Sequence, residues 1–323
     1  MIRVGLIGCG GIGAVHGNVW LLLKDKAELV AIADFNTVKA EELAAKCNAR
    51  VYKDAVEMME KEDLDVVDIC LPTFLHTEFV IKATRYVKNV IVEKPICLYE
   101  EEAVRLLEAE KETGALIQVG QVLRFADPYR YLKKVADSGE YGRVVTGDFW
   151  RLSPKPVWVN GYNDVTRTGG MAIDLHIHDI DFIRHLMGGE PESVVANHVT
   201  GKDDVIEHVW ATYRYGDVVL MAEGAWEYPT CMPFAAGFRV RLEKATLTLD
   251  DRGILTVYPE GGEAFVPQLA DAVEMDLGIN FTDVGEFINE LGAFADAIEK
   301  GGPAAVPLAD AIAAFRIAKK ELE

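Results

Sequence analysis

The chain has 323 residues and carries 52 acidic against 33 basic side chains, a formal net charge of −19 at pH 7. This length predicts two domains, and a composition that is 50% hydrophobic excludes a disordered chain. The acidic excess argues against nucleic acid or an anionic membrane surface as a partner, because Lys and Arg bind both. A small-molecule ligand remains compatible with this charge.

The five cysteines include no C-x-x-C pair. An odd number of cysteines without such a pair predicts reduced thiols rather than a disulfide framework or a thiolate zinc site. No apolar run approaches the roughly 20 residues that cross a bilayer. Because an apolar strand pattern begins at Ile2, we expect no signal peptide and a cytoplasmic location.

The first 120 residues alternate short β-branched runs with amphipathic stretches. Near-continuous apolar strands joined by helices predict a parallel sheet that is buried on both faces, and right-handed crossovers make it doubly wound. We therefore predict an α/β domain over residues 1–120. Strands are predicted at 2–7, 29–33, 66–71, 89–92 and 116–119, and helices at 12–23, 37–47, 78–87 and 100–111.

After residue 120 the pattern changes to successive strands separated by turns. Such a succession predicts a large, mostly antiparallel sheet, here in a second α/β domain over residues 121–323. We expect the C-terminal helix to pack back toward the first domain. Strands are predicted at 144–152, 194–199, 209–215, 218–225, 238–242, 246–249 and 255–258, and helices at 128–137, 170–187, 281–299 and 308–322.

A glycine-rich segment lies between the first strand and the first helix and fits the pattern G-x-G-x-x-G. Gly8 permits the tight turn, Gly10 lets the backbone approach a pyrophosphate, and Gly13 lets helix and strand pack closely. The N–H groups at the helix start then bind phosphates without basic side chains. By itself the pattern also fits a packing turn without a ligand. The residues predicted to bind a dinucleotide here are Gly8, Gly10, Gly11, Ile12 and Gly13.

An acidic residue, Asp34, ends the second strand about 20 residues after Gly13, which is the spacing of a ribose-binding carboxylate. Its charge would repel a 2′-phosphate, and residues 35–37 include no arginine that could receive one. The sequence therefore predicts NAD as the cofactor rather than NADP. The alternative is a solvated aspartate that follows a packing turn.

The segment Glu93-Lys94-Pro95 ends a buried strand, and ligands bind at the carboxyl ends of strands in doubly wound sheets. A lysine at this place can donate a hydrogen bond to an alkoxide that forms on a substrate carbon. The alternative is that Glu93 and Lys94 only mark the surface end of a strand.

Acidic and histidine residues are concentrated between residues 169 and 181. On one continuous helix Asp174, His178 and Asp181 fall at i, i+4 and i+7, on one face. A carboxylate one turn from a histidine can orient the ring as a general base. A capping cluster and a metal site are the alternatives, but His176 and His178 diverge on a helix, and we predict no metal.

Together these motifs resemble the Gfo/Idh/MocA family of NAD(P)-dependent sugar and inositol dehydrogenases. The glycine segment with His16 resembles its dinucleotide loop, Glu93-Lys94-Pro95 its E-K-P signature, and residues 169–181 its G-G-x-x-x-D-x-x-x-H-x-x-D helix. Residues 71–76, which read L-P-T-F-L-H, resemble its turn beside the nicotinamide. The resemblance adds to the predicted cofactor site the residues Leu71, Pro72, Thr73, His76, Glu93 and Lys94.

The resemblance implies a Rossmann domain, followed by a domain whose open sheet forms the interface of a homodimer or homotetramer. It also implies a catalytic set of Lys94, Asp174 and His178, in which His178 or Lys94 accepts the hydroxyl proton. Inositol dehydrogenases often have two consecutive arginines directly before an aromatic residue at this place, whereas here Arg124 alone lies directly before Phe125. This departure puts myo-inositol in doubt and leaves another cyclitol, a sugar or a glycoside as candidate substrates. Candidate substrate-binding residues are Arg124, Trp158, Tyr162 and Asn163.

The leading hypothesis is an oxidoreductase that transfers a hydride between a secondary hydroxyl of a sugar, sugar derivative or cyclitol and the nicotinamide of NAD. One alternative is an NAD-dependent glycosidase that acts through a transient keto intermediate and releases an aglycone without net cofactor reduction. Another is a non-catalytic regulator that senses a cofactor or a sugar, although a sensor needs no proton acceptor. A metal-dependent hydrolase is the remaining alternative.

Overall fold

The computed structural model describes residues 1–155, 164–201, 204–270, 272–275, 277 and 283–323. The chain divides into two compact units, and each is made of two segments. The first unit is Met1–Phe125 with Asp271–Ile312, and the second unit is Ala126–Ala270 with Ala313–Glu323. The division predicted at residue 120 stays a prediction.

The first unit contains a parallel sheet with the strand order β3-β2-β1-β4-β5-β6 in the described residues. This order is that of a Rossmann fold, so the predicted doubly wound parallel sheet is confirmed. The elements of residues 1–120 are β1 (Ile2–Ile7), α1 (Gly11–Leu22), β2 (Ala27–Ala33), α2 (Thr37–Ala44), β3 (Arg50–Tyr52), α3 (Ala55–Lys61), β4 (Val66–Ile69), α4 (His76–Ala83), β5 (Asn89–Glu93), α5 (Glu100–Thr113) and β6 (Leu116–Gly120).

Two of these elements, β3 and α3, were not predicted. β3 has three residues, all at least partly exposed, so it lacks the apolar run that identifies a buried strand. α3 has seven residues, and its start is fixed by Asp54, whose Oδ1 accepts hydrogen bonds from Val56 N and Glu57 N at 2.8 and 2.9 Å. This capping bond stabilises a helix that is too short to show a clear period.

The second unit is built around a sheet whose described strands have the order β13-β12-β11-β7-β10-β9-β8. Only β7 and β10 pair in parallel in this order, which confirms the mostly antiparallel sheet. The elements after residue 120 are α6 (Asp127–Ser138), β7 (Val144–Pro154), α7 (Val165–Thr168), α8 (Gly170–Asp174), α9 (Ile177–Met187), β8 (Ser193–Thr200), β9 (Ile206–Tyr215), β10 (Val218–Tyr228), β11 (Ala235–Leu242), β12 (Ala245–Leu249), β13 (Leu255–Pro259), α10 (Gly285–Lys300) and α11 (Leu308–Lys320).

α10 belongs to the first unit although it follows the second sheet in sequence. Phe287, Leu291 and Phe294 repeat at helical spacing on one face and are buried in a hydrophobic cluster with Val19 and Trp20 of α1. This apolar contact explains why the segment packs with the Rossmann sheet. In the described part of the chain, no helix combines the length and the apolar character that a membrane span needs.

The prediction of one helix over residues 170–187 is wrong. The structure has two helices, α8 and α9, with Leu175 and His176 between them. Leu175 N and His176 N both donate to Met171 O, at 2.9 and 3.0 Å. The second of these bonds spans five residues, as in a π-bulge, so it widens the turn. Asp174 and His178 therefore do not share the face of one regular helix.

Candidate active site

The glycine loop joins β1 to α1 and packs tightly at two of its glycines. Gly8 has a φ of 95°, a conformation that favours glycine, and a Cβ there would lie 2.5 Å from the Cys70 carbonyl oxygen. A Cβ on Gly13 would lie 2.0 Å from the Gly8 carbonyl oxygen. At Gly10, by contrast, a Cβ would meet no atom within 4 Å. The loop therefore has no room for a side chain at Gly8 and Gly13, where helix and strand meet, but has free space beside Gly10. Free space at this position fits the approach of a pyrophosphate to the backbone.

Asp34 follows β2, and backbone N–H groups hold its carboxylate in place. Its Oδ2 accepts a hydrogen bond from Cys9 N at 2.6 Å, and its Oδ1 accepts one from Asn36 N at 2.7 Å. Each oxygen keeps further acceptor capacity, so the carboxylate fits the binding of ribose hydroxyls. Burial and the nearby Asp34 charge raise the pKa of Cys9 to about 12, and its thiol therefore stays protonated.

His16 of α1 is the centre of a fully buried ionic cluster in the first unit. Its Nδ1 lies 3.1 and 3.0 Å from the two carboxylate oxygens of Asp68, and its Nε2 lies 3.1 Å from Glu93 Oε1. Both nitrogens can donate only when the ring is protonated. Burial is the largest single influence and opposes this state, but Asp68 and Cys70 together outweigh it and hold the pKa of His16 well above its usual range.

Sequence reasoning missed Asp68, which lies in the middle of a buried apolar strand. Its carboxylate accepts a further hydrogen bond from Trp20 Nε1 at 2.8 Å. A ring nitrogen of His16, a carboxylate oxygen of Asp68 and the sulfur of Cys70 lie within 4.8 Å of one another, close enough to bind one metal ion together. Because His16, Trp20 and Cys70 all contact the carboxylate, its charge is compensated by the protein itself.

Glu93 connects this cluster to Lys94. Its Oε1 faces His16 Nε2, and its Oε2 accepts a hydrogen bond from Lys94 N at 3.1 Å. Glycine at position 120 leaves room for the carboxylate, since a Cβ there would lie 3.1 Å from Glu93 Oε1. With a residue exposure of 6%, Glu93 is not a charge that marks a surface strand end. We define His16, Trp20, Asp68, Glu93 and the nearby Glu290 as the first-unit cluster.

His76, at the start of α4, links the loops that follow β4 and β5. Its Nε2 lies 2.6 Å from the Leu71 carbonyl oxygen, and its Nδ1 lies 2.8 Å from the Pro95 carbonyl oxygen. Burial lowers the pKa of His76, and the two carbonyls offset only part of that effect. The neutral ring donates to one of the two carbonyls, and its position fixes the turn that contains Pro72 and Thr73.

Lys94 lies in the first unit, and Asp174 and His178 lie in the second. Asp174 ends α8 with an exposure of 8%, whereas His178 is half-buried in the first turn of α9. Asp179, on the same helix, forms a buried ion pair with Arg151 of β7, with Nε–Oδ2 and Nη2–Oδ1 distances of 2.9 and 3.2 Å. This pair, which sequence reasoning missed, fixes the start of α9 on the second sheet.

Of the four candidate substrate-binding residues, the structure describes Arg124 alone. Arg124 lies in the first unit and donates a hydrogen bond to Asp310 Oδ2 at 3.0 Å. The predicted residues Trp158, Tyr162 and Asn163 lie outside the described residues. A substrate role for these four residues stays a prediction.

Comparison with known proteins identifies the family. Residues 2–121 match the model of an oxidoreductase family with an NAD-binding Rossmann fold, and residues 129–248 match that of the GFO/IDH/MocA C-terminal domain. The chain is 30% identical to inositol 2-dehydrogenase of Rhizobium meliloti, over 98% of this chain and 94% of that protein. The chain belongs to the Gfo/Idh/MocA family. The predicted resemblance and the predicted NAD-binding domain are thereby confirmed.

Two further known proteins match this chain to different extents. The chain is 31% identical to scyllo-inositol 2-dehydrogenase (NAD+) of Bacillus subtilis, over 67% of this chain and 61% of that protein. This match therefore spans less than two thirds of the relative. The solved structure of myo-inositol 2-dehydrogenase from Lactobacillus plantarum has a TM-score of 0.79 at 23% identity, over 99% of this chain and 96% of that one. At this identity the likeness shows the fold.

Proposed function

We propose that the protein is an NAD-dependent oxidoreductase that acts on a secondary hydroxyl of a sugar, sugar derivative or cyclitol. The observation that carries this proposal is the buried His16–Glu93 contact, which fixes the backbone of Lys94 at the carboxyl end of β5. The names of the two inositol dehydrogenase relatives support a polyol substrate. The glycosidase and sensor alternatives have no comparable support.

We assign cofactor binding to the glycine loop and Asp34. The N–H groups at the start of α1 bind the pyrophosphate, because no side chain caps this helix end. Asp34 binds the ribose hydroxyls and excludes a 2′-phosphate by charge, which favours NAD over NADP. Bound NAD supplies the hydride acceptor.

We assign proton chemistry to Lys94, Asp174 and His178. His178 accepts the hydroxyl proton during oxidation and returns it during reduction. The Lys94 ammonium donates a hydrogen bond to the developing alkoxide, which stabilises charge where it forms. Asp174 orients the substrate or the His178 ring.

We also propose that the protein is a cytoplasmic homodimer or homotetramer that associates through the second sheet. Val195, Trp210 and Met221 are 61, 36 and 39% exposed on neighbouring strands, and the pairing of Thr212 with Val195 and Met221 puts them on one face. Exposed apolar patches of this kind mark interaction surfaces. Sedimentation of the native protein and of Val195→Glu tests this, with a monomeric variant expected.

A substrate panel with purified protein and NAD tests the activity. We expect one or more cyclitols or sugars to give reduced nicotinamide, followed by its absorbance, at rates that exceed those with NADP. Release of an aglycone without net reduced cofactor would support the glycosidase instead. Cofactor binding without turnover on any member of the panel would favour the sensor.

A further inference from the structure

The turn between α8 and α9 is held by a buried triad of His176, Tyr213 and Glu321. The residue exposures are 0, 1 and 1%, in that order. The Tyr213 hydroxyl donates to Glu321 Oε1 at 2.6 Å and lies 3.2 Å from His176 Nε2. His176 Nε2 also lies 3.2 Å from Glu321 Oε2. All three residues belong to the second unit.

These contacts fix the direction of each hydrogen bond. Because the tyrosine proton points to Glu321, the hydroxyl oxygen accepts from His176 Nε2–H. Glu321 Oε2 faces the same nitrogen as a charged contact and has no hydrogen-bond partner among the described residues. His176 Nδ1 has no hydrogen-bond partner among the described residues and faces Gly224, where a Cβ would lie 2.6 Å from it. The triad therefore requires the proton on Nε2 and a glycine at position 224.

His176 occupies the position from which both candidate catalytic residues of the second unit are set. His176 lies two residues after Asp174 and two residues before His178. Its backbone N–H donates the hydrogen bond to Met171 O that spans five residues. In a regular helix one residue corresponds to a rotation of about 100°. Loss of the widened turn would therefore rotate Asp174 about the helix axis by roughly that angle relative to His178.

We propose that Glu321, acting through Tyr213 and His176, is a positioning residue for Asp174 and His178. This rests on the proposed dehydrogenase function. Glu321 contacts the turn that joins Asp174 to His178, so its effect is expected in turnover and not in NAD affinity. The Arg151–Asp179 pair anchors the other side of the turn, so the segment stays folded when the triad is altered.

The variant Glu321→Gln tests the proposal because it preserves size and removes one acceptor. Tyr213 faces Glu321 Oε1 and His176 Nε2 faces Oε2, so an amide that keeps its oxygen toward Tyr213 turns its NH₂ protons toward His176 Nε2–H. We expect kcat to fall about 10-fold, since small misplacement of reacting groups is costly. KM and the NAD dissociation constant should stay within about twofold. The exposed Glu323→Gln is the matched control and should behave as native.

A second measurement needs no substrate. Hydrogen exchange of the amides of residues 175–180 should be faster in Glu321→Gln, and to a smaller extent in Tyr213→Phe, than in Glu323→Gln. Faster exchange with native kcat would overturn the positioning role, and so would native exchange in Glu321→Gln. If the native protein turns over no substrate, the proposed function fails, and exchange alone then decides whether Glu321 holds the turn.

Discussion

The two units each bury a histidine among polar groups, but they satisfy it in different ways. In the first-unit cluster His16 lies between the carboxylates of Asp68 and Glu93, and opposite charges compensate one another. In the triad of the second unit, His176 contacts one carboxylate and one phenol, and its other nitrogen has no partner in the described residues. Charge fixes the first arrangement, and hydrogen-bond direction fixes the second.

This difference predicts different responses to the same change. Leucine at position 16 would leave two buried carboxylates without their cation, at a cost of about 3–5 kcal/mol in the free energy of unfolding. Leucine at position 176 would remove one hydrogen bond from the Tyr213 hydroxyl and one contact from the Glu321 carboxylate, at a smaller cost of about 1–3 kcal/mol. Urea unfolding of His16→Leu and His176→Leu measures both. A larger loss in His176→Leu would contradict the comparison.

The first-unit cluster packs against Gly120, and the triad of the second unit packs against Gly224. The two glycines differ in how much space they leave for a side chain. A Cβ at Gly224 would lie 2.6 Å from the His176 ring, whereas one at Gly120 would lie 3.1 Å from Glu93 Oε1. We expect Gly224→Ala to lower the free energy of unfolding by about 1–3 kcal/mol, in the range of overpacked cores. Gly120→Ala should cost less. Equal losses in urea unfolding would show that the ring has room to move.

The first-unit cluster also contains a carboxyl group, that of Glu290, that is uncharged and therefore needs no opposite charge beside it. Glu290 is fully buried, and neither of its oxygens has a hydrogen-bond partner among the described residues. Burial, with the nearby Glu93 charge, raises the pKa of Glu290 well above its usual range. Glu290 is therefore a neutral acid in the folded state, in a cluster whose other ionisable groups are the two carboxylates of Asp68 and Glu93 and the His16 imidazolium.

A neutral Glu290 gives a pH-dependent stability with a definite sign. Above pH ~4.5 the unfolded chain loses this proton and the folded chain keeps it, so native stability falls as the pH rises toward the raised pKa. Glu290→Gln cannot titrate. Its stability relative to native should therefore rise by up to about 1.4 kcal/mol per pH unit as the pH increases from 5 toward the raised pKa. The exposed Glu299→Gln on the same helix should show no such trend. A flat difference for Glu290→Gln would mean an ionised Glu290.

The same contrast explains what could be predicted from the sequence. Buried parallel strands have continuous apolar runs, and the glycine spacing follows from the turn, so the first sheet and its loop were predictable. Asp68 was not, because one acid within such a run gives no sign of a partner 52 positions earlier. Glu290 lies on α10 and Glu321 directly after α11, in segments with a helical sequence pattern where acids are usually solvated.

The break at His176 was hidden for a related reason. Residues 170–187 have a helical pattern throughout, and their local preferences favour one helix. The widened turn depends on Tyr213 and Glu321, which lie far along the chain and are not visible in the local pattern. Tertiary contacts thus override local propensity at the place where the candidate catalytic residues lie.

The most direct measurement of the central claim is NAD reduction by Lys94→Met and His178→Asn on the substrate that the panel identifies. We predict that kcat falls by about 10²–10⁴ in each variant, as for the loss of a proton-transfer or alkoxide-stabilising group, while NAD still binds. The exposed Lys88→Met, on the turn before β5, should retain native turnover. Native turnover in either Lys94→Met or His178→Asn would contradict the assigned mechanism.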